Sequence, residues 1–164
     1  MSRIVQARTI AAAAALLGGM ALASPASAVP GAAQTVTATY DCGAFGVTDL
    51  KIEASASGSV GSVKVSTSGG LAPADIPADS VTATLRLERA SGGTVDFTGT
   101  ANEAAPAGQP LTIGPLPGAI VAGDSLDSYI PAAGSSDVSL SLSILGVPNT
   151  CKAVSKQTPG PLVF

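Results

Sequence analysis

An all-β fold, an antiparallel sandwich of about six to eight short strands, is predicted by three features of this chain. Apolar and polar residues alternate with a period of two in several separate runs, which turns one face inward and the other to water. Clusters of Gly, Pro, Ser and Asn of the kind that form turns divide the runs. The two cysteines stand close to the first and the last of them: Cys42 ends the run from Thr35, and Cys151 follows the run from Asp137 to Leu145.

The first residues are expected to be an address rather than part of the fold. Arg3 and Arg8 give a positive start, Ile10 to Ala23 is an apolar run, and Ala26-Ser27-Ala28 supplies a small-residue cleavage pattern ending at Ala28. A retained anchor is the competing reading, but the run is shorter than the roughly 18 to 20 residues that span a bilayer. No cysteine in Ser24 to Ala28 could accept a lipid. The expected organisation is a signal peptide at 1–28, a short leader at 29–33, a β-sandwich at 34–155 and a tail at 156–164. The 136 residues left after cleavage (164 − 28) suffice for one domain with a modest core.

Removing the signal leaves six basic residues (8 − 2) against eleven acidic ones, a formal charge of −5. An acidic chain without a basic cluster argues against nucleic acid, whose phosphates need Lys and Arg, and equally against anionic lipid. The expected location is outside the cell, in the medium or held at the cell wall, with no membrane anchor in the mature form. In that oxidising compartment Cys42 and Cys151 are expected to form a disulfide. It would close a loop of 109 positions (151 − 42), which the chain-entropy model values at about 4 to 5 kcal/mol. Two reactive thiols are the alternative, disfavoured because there is no C-x-x-C and no histidine to activate them.

Taken in order, Val36, Ala38, Tyr40 and Cys42 share one face of the first strand, and three threonines share the other. After the turn Gly43 to Gly46, Thr48, Leu50, Ile52 and Ala54 alternate with charged residues. Val63, Val65 and Thr67 mark a third strand, and Ser68 to Asp79 is expected to be a loop. Val81 to Glu88 alternates as a strand, although Ser80 could cap a helix there; the period favours the strand. Ala90 to Gly93 turns the chain into a partner carrying Val95 and Phe97. Asn102 to Pro131 is unusual, with Pro106, Pro110, Pro115, Pro117 and Pro131. It is expected to hold an edge strand at Leu111 to Ile113 and then a long loop, because proline removes a ladder donor. Val138, Leu140, Leu142 and Ile144 form the last alternation, and Gly146 to Asn149 is expected to turn the chain toward Cys151. Leu162 to Phe164 either docks or frays.

Histidine is absent, which removes serine and cysteine triads, His-based metal sites and the usual general base at neutral pH. Glu53 and Glu88 stand on polar strand faces beside Lys51 and Arg86, as solvated carboxylates do, rather than as a glycosidase pair. Sugar platforms are scarce, with no tryptophan, three Phe and two Tyr. Asp124, Asp127 and Asp137 form the best acidic group for a weak calcium site, though their spacing matches no calcium loop. No cofactor is expected. What remains is recognition by surface, and a long proline-rich segment is a natural place for it.

The Ala-rich export signal ending Ala26-Ser27-Ala28, Tyr40-Asp41-Cys42 at the opening of the domain, and a late β-run followed by Cys151 resemble a family of small uncharacterised secreted actinobacterial proteins. That resemblance implies an immunoglobulin-like sandwich and no particular activity. Antibody-type domains carry a core tryptophan between their cysteines; this chain has none, which leaves strand order open. The expected function is a non-enzymatic binding protein with an unidentified protein or cell-envelope partner. The alternatives are a structural envelope component and a protease inhibitor presenting 102–131.

Overall fold

Period-two alternation becomes ladder over most of the runs that carry it. The computed structural model describes residues 32–164. The signal segment and the cleavage site after Ala28 lie outside the described residues. Ten strands follow: β1 (Gln34–Asp41), β2 (Val47–Ser57), β3 (Val60–Leu71), β4 (Val81–Arg89), β5 (Thr94–Thr100), β6 (Pro110–Ala119), β7 (Ser125–Ser128), β8 (Leu140–Ile144), β9 (Val147–Ala153) and β10 (Leu162–Val163). Eight have five residues or more; β7 and β10 are the short additions to the six to eight expected.

All ladders are antiparallel, in the order β10-β7-β4-β8-β9-β1-β2-β3-β6, with β5 on the other edge of β4. The chain of ladders folds into two layers at β9. Val147 to Cys151 pairs with β8, while Lys152 and Ala153 pair with β1. Inward residues of both layers form one core. Val36, Leu50, Ile52 and Val65 come from one side, and Val81, Leu85, Leu87 and Phe97 from the other, all buried. The layers also meet along β5 and β6, where the Phe97 ring lies over Gly118. A Cβ at that glycine would stand 2.6 Å from a ring carbon, so only glycine fits. The ambiguous segment at Val81 is β4, paired on both edges. Ser80 caps nothing: its hydroxyl donates to the Pro77 carbonyl in a turn.

Three stretches differ from expectation: the end of β3, the extent of β6 and the final hairpin. β3 continues through Ser68, Gly69 and Gly70 to Leu71, because β6 offers a partner as far as Pro110. β6 extends well past Ile113, through Pro115 and Pro117 to Ala119. It is the last strand in its order, so missing N–H groups are tolerated, and both prolines are exposed while Leu116 between them is buried. Gly114, at φ +114°, absorbs the register shift between Val63 and Val65, and a Cβ there would meet the Val63 carbonyl oxygen at 2.5 Å. The final hairpin turns one residue earlier than expected, at Leu145-Gly146. Val147 and Pro148 therefore belong to β9, and Val138 lies before β8. The tail docks: Leu162 pairs with Leu126, and the Val163 backbone exchanges two hydrogen bonds with the Gln34 side chain.

Candidate functional site

The two layers part at the end of the sandwich that carries the disulfide, and a cavity of about 280 Å³ opens between them. One wall is three cross-strand pairs of the β8–β9 hairpin: Leu140 with Cys151, Leu142 with Asn149 and Ile144 with Val147. The facing wall comes from Thr48 and Leu50 of β2, Val65 and Thr67 of β3, and Leu111 and Ile113 of β6. These residues follow from period-two parity, which sends i, i+2 and i+4 of each strand to the same face. Phe45, in the short 3-10 turn Gly43–Phe45, and Pro73 stand at the mouth, with Ala72 buried behind.

Burial grades along the cavity. Leu50, Val65, Ile113, Leu140 and Cys151 form a buried floor. At the rim Phe45 is 65 % exposed, Leu145 51 % and Val147 61 %. Three exposed large apolar residues around one opening are unlike scattered surface hydrophobics, which need no explanation. Leu145 adds a second anomaly. With Gly146 it forms a two-residue hairpin turn in which both residues have positive φ, +50° and +80°. Such turns favour Asn-Gly, and a leucine in the left-handed region costs about 1–2 kcal/mol. A strained, exposed leucine at the lip of an apolar opening points to function, since strain of this kind gathers at binding sites.

Electrostatics inside the cleft are plain. No lining residue carries an ionisable group, and the two cysteines are joined, with Cα atoms 4.0 Å apart. Among the described residues the Thr48 hydroxyl is shielded from solvent without a hydrogen-bond partner, and no protein group bonds to the Asn149 amide. Such a space cannot move protons. It can take up hydrocarbon, and each methylene transferred from water gains about 0.8 kcal/mol.

The residues singled out from sequence lie elsewhere or are used otherwise. Cys42 and Cys151 form the expected bridge at the cleft floor. Glu53 pairs with Lys51, which lowers its pKa through hydrogen bonding and charge; Glu88 pairs with Lys156 rather than with Arg86. Arg86 instead forms a two-point bridge to Asp96 at 2.8 and 2.9 Å, which lowers the Asp96 pKa. The three aspartates of the calcium candidate do not converge. Asp124 pairs with Arg89 and accepts from the Val121 N–H. Asp127 accepts from the Ser128 and Gln157 N–H groups. Asp137 accepts from the Tyr129 hydroxyl and donates its N–H to Ser135 Oγ, and the Ser135 and Tyr129 hydroxyls both lower its pKa. Among the described residues no three His, Cys, Asp or Glu side chains gather as metal ligands would. Pro110, Pro115 and Pro117 lie in β6, with Pro106 before it and Pro131 after β7, so 102–131 is not one presented loop.

The cleft itself went unread in the sequence. A signal was present, however: Phe45 in a glycine-flanked turn and Leu145 at a turn tip are apolar residues where polar ones are usual. No protein-family model, curated protein or solved structure matches this chain.

Proposed function

We propose that this is a secreted, non-enzymatic binding protein, acting at or near the cell surface, that receives its ligand in the apolar cleft between Phe45 and Leu145. The observation that carries the reading is the cleft's chemistry: a graded apolar cavity with an exposed apolar rim and no ionisable lining group. Its location is supported by the export-type N-terminus and by a disulfide of the kind oxidising compartments favour. No helix among the described residues is long and apolar enough to cross a membrane. An immunoglobulin-like arrangement belongs to the same reading, supported by antiparallel layers and one bridge. The inhibitor alternative has less to rest on, because most of 110–128 is held in strands.

The test is capture from culture medium and cell envelope, followed by mass spectrometry of what the purified protein retains. Wild type is compared with a Phe45→Ser, Val147→Ser double variant, whose two sites are exposed and tolerant of change. A retained species that the double variant loses supports the reading; equal recovery by both proteins removes the cleft from it.

A further inference from the structure

Resting on that reading, we propose that the cleft takes the alkyl chain of a free, uncharged, single-chain amphiphile of about ten to twelve carbons, tail inward and head at the mouth. Size comes first. An apolar cavity of about 150 Å³ accommodates benzene, so about 280 Å³ suits roughly twice as many heavy atoms. Direction comes from the grading of the walls. Leu50 and Leu140 close the inner end, while the Asn149 amide, partly exposed and without a protein partner, sits one inward-facing position nearer the mouth on β9. A chain with its tail against the leucines presents its head to that amide. It can bond an alcohol, ester or amide but cannot neutralise a charge.

Head-group charge follows from the same walls. A carboxylate or an ammonium at this level would be partly desolvated with no counter-ion among the lining residues, so the ionised forms are disfavoured. Source follows from the chain's charge: acidic residues outnumber basic ones, and no basic cluster would hold the mouth to an anionic bilayer. The ligand is therefore a free molecule rather than the tail of a lipid still in its membrane. Leu145, held at φ +50° on the rim, is the residue whose position the turn itself does not explain. Contact with the entering chain supplies the reason.

The test titrates purified protein with 1-decanol, decanoate and decyltrimethylammonium below their micellar concentrations at pH 7, following methyl resonances by NMR. Decanol is expected to shift Leu142, Ile144 and Leu145 saturably and to leave Val121, exposed outside the cleft, unmoved. The two charged probes should bind at least tenfold more weakly. Leu142→Trp, which fills the space, should abolish binding. Leu145→Asn guards against a folding artefact: it should weaken decanol at least fivefold while leaving the unfolding midpoint unchanged or higher, because Asn-Gly suits the turn. Equal affinity for decanol and decanoate would overturn the head-group assignment. Leu145-dependent co-sedimentation with phosphatidylcholine vesicles would return the chain to a membrane lipid. Concentration-dependent dimerisation abolished by Leu145→Asn would give the cleft to a second copy. If no alkyl probe binds but the rim double variant still loses a captured species, the alkyl ligand falls and the binding reading stands; if both tests fail, both fall.

Discussion

Tyr40 shows how much one inward-facing residue of β1 controls. It is fully buried, and its hydroxyl has no hydrogen bond of acceptable geometry, although Ser128 Oγ, equally unpartnered, lies close enough to influence it. Burial pushes its pKa up to about 12; the Ser128 hydroxyl pulls it down and the Asp127 charge adds to the rise. Below pH 10 both folded and unfolded chains keep the phenolic proton, so Tyr40 contributes no pH dependence there. Between about pH 10 and 12 the unfolded chain releases it and the folded one does not, so stability falls with pH, by roughly 2–3 kcal/mol across the window. Urea unfolding at stepped pH should therefore show an alkaline decline that Tyr40→Phe reduces. At pH 7 the same variant should be neutral or about 1 kcal/mol more stable, since it removes an unpaired buried hydroxyl. Identical alkaline slopes in the two proteins would contradict this account. Tyr40 was legible as an inward residue because parity alone places it. Asn102 was not. Its side-chain oxygen accepts from the Ser80 and Val81 N–H groups and its nitrogen donates to Pro77 and Glu103, partners that mostly lie more than twenty residues away.

At the scale of elements, strands with clean alternation were readable and strands made by their partners were not. β1, β2, β4, β5 and the core of β8 carry their own pattern, so local sequence suffices for them. β6 carries prolines that argue against ladder, and it forms because β3 lies beside it and its other edge needs few donors. β10 is only two residues and has no period to read; Leu126, Ser125 and the Gln34 side chain make it a strand. That dependence predicts a measurable cost. Leu162→Ala should destabilise by about 2–4 kcal/mol in equilibrium unfolding, as for a fully buried core leucine. A loss below about 0.5 kcal/mol would mean that the tail frays instead. The cleft was invisible for a related reason. β2, β3, β6, β8, β9 and the turn at Phe45 each supply a few ordinary apolar residues, and their gathering around one opening is a property of the topology.

For the whole molecule, the absence of histidine is legible in the sequence alone, and it removes the usual general base at neutral pH. The pairing of Cys42 with Cys151 was legible from compartment and count, whereas the sharing of β9 between two layers was not. Together these features set how the molecule answers a pull. A force applied at Gln34 and Phe164 passes along eight chain steps (42 − 34) to Cys42, crosses the bridge, and leaves by thirteen more (164 − 151). Everything between the cysteines is bypassed. Held by its two ends, the oxidised chain can lengthen to roughly 70 Å, against roughly 450 Å once the bridge is reduced and all 130 steps (164 − 34) bear load. Single-molecule stretching with and without a thiol reductant should record those two contour lengths, and a long extension under oxidising conditions would break the assignment. With the bridge closed, the load path runs past the cleft floor without entering the strands that build most of its walls. Under load such a fold would yield first at its two end segments, leaving most of the cleft's walls in place.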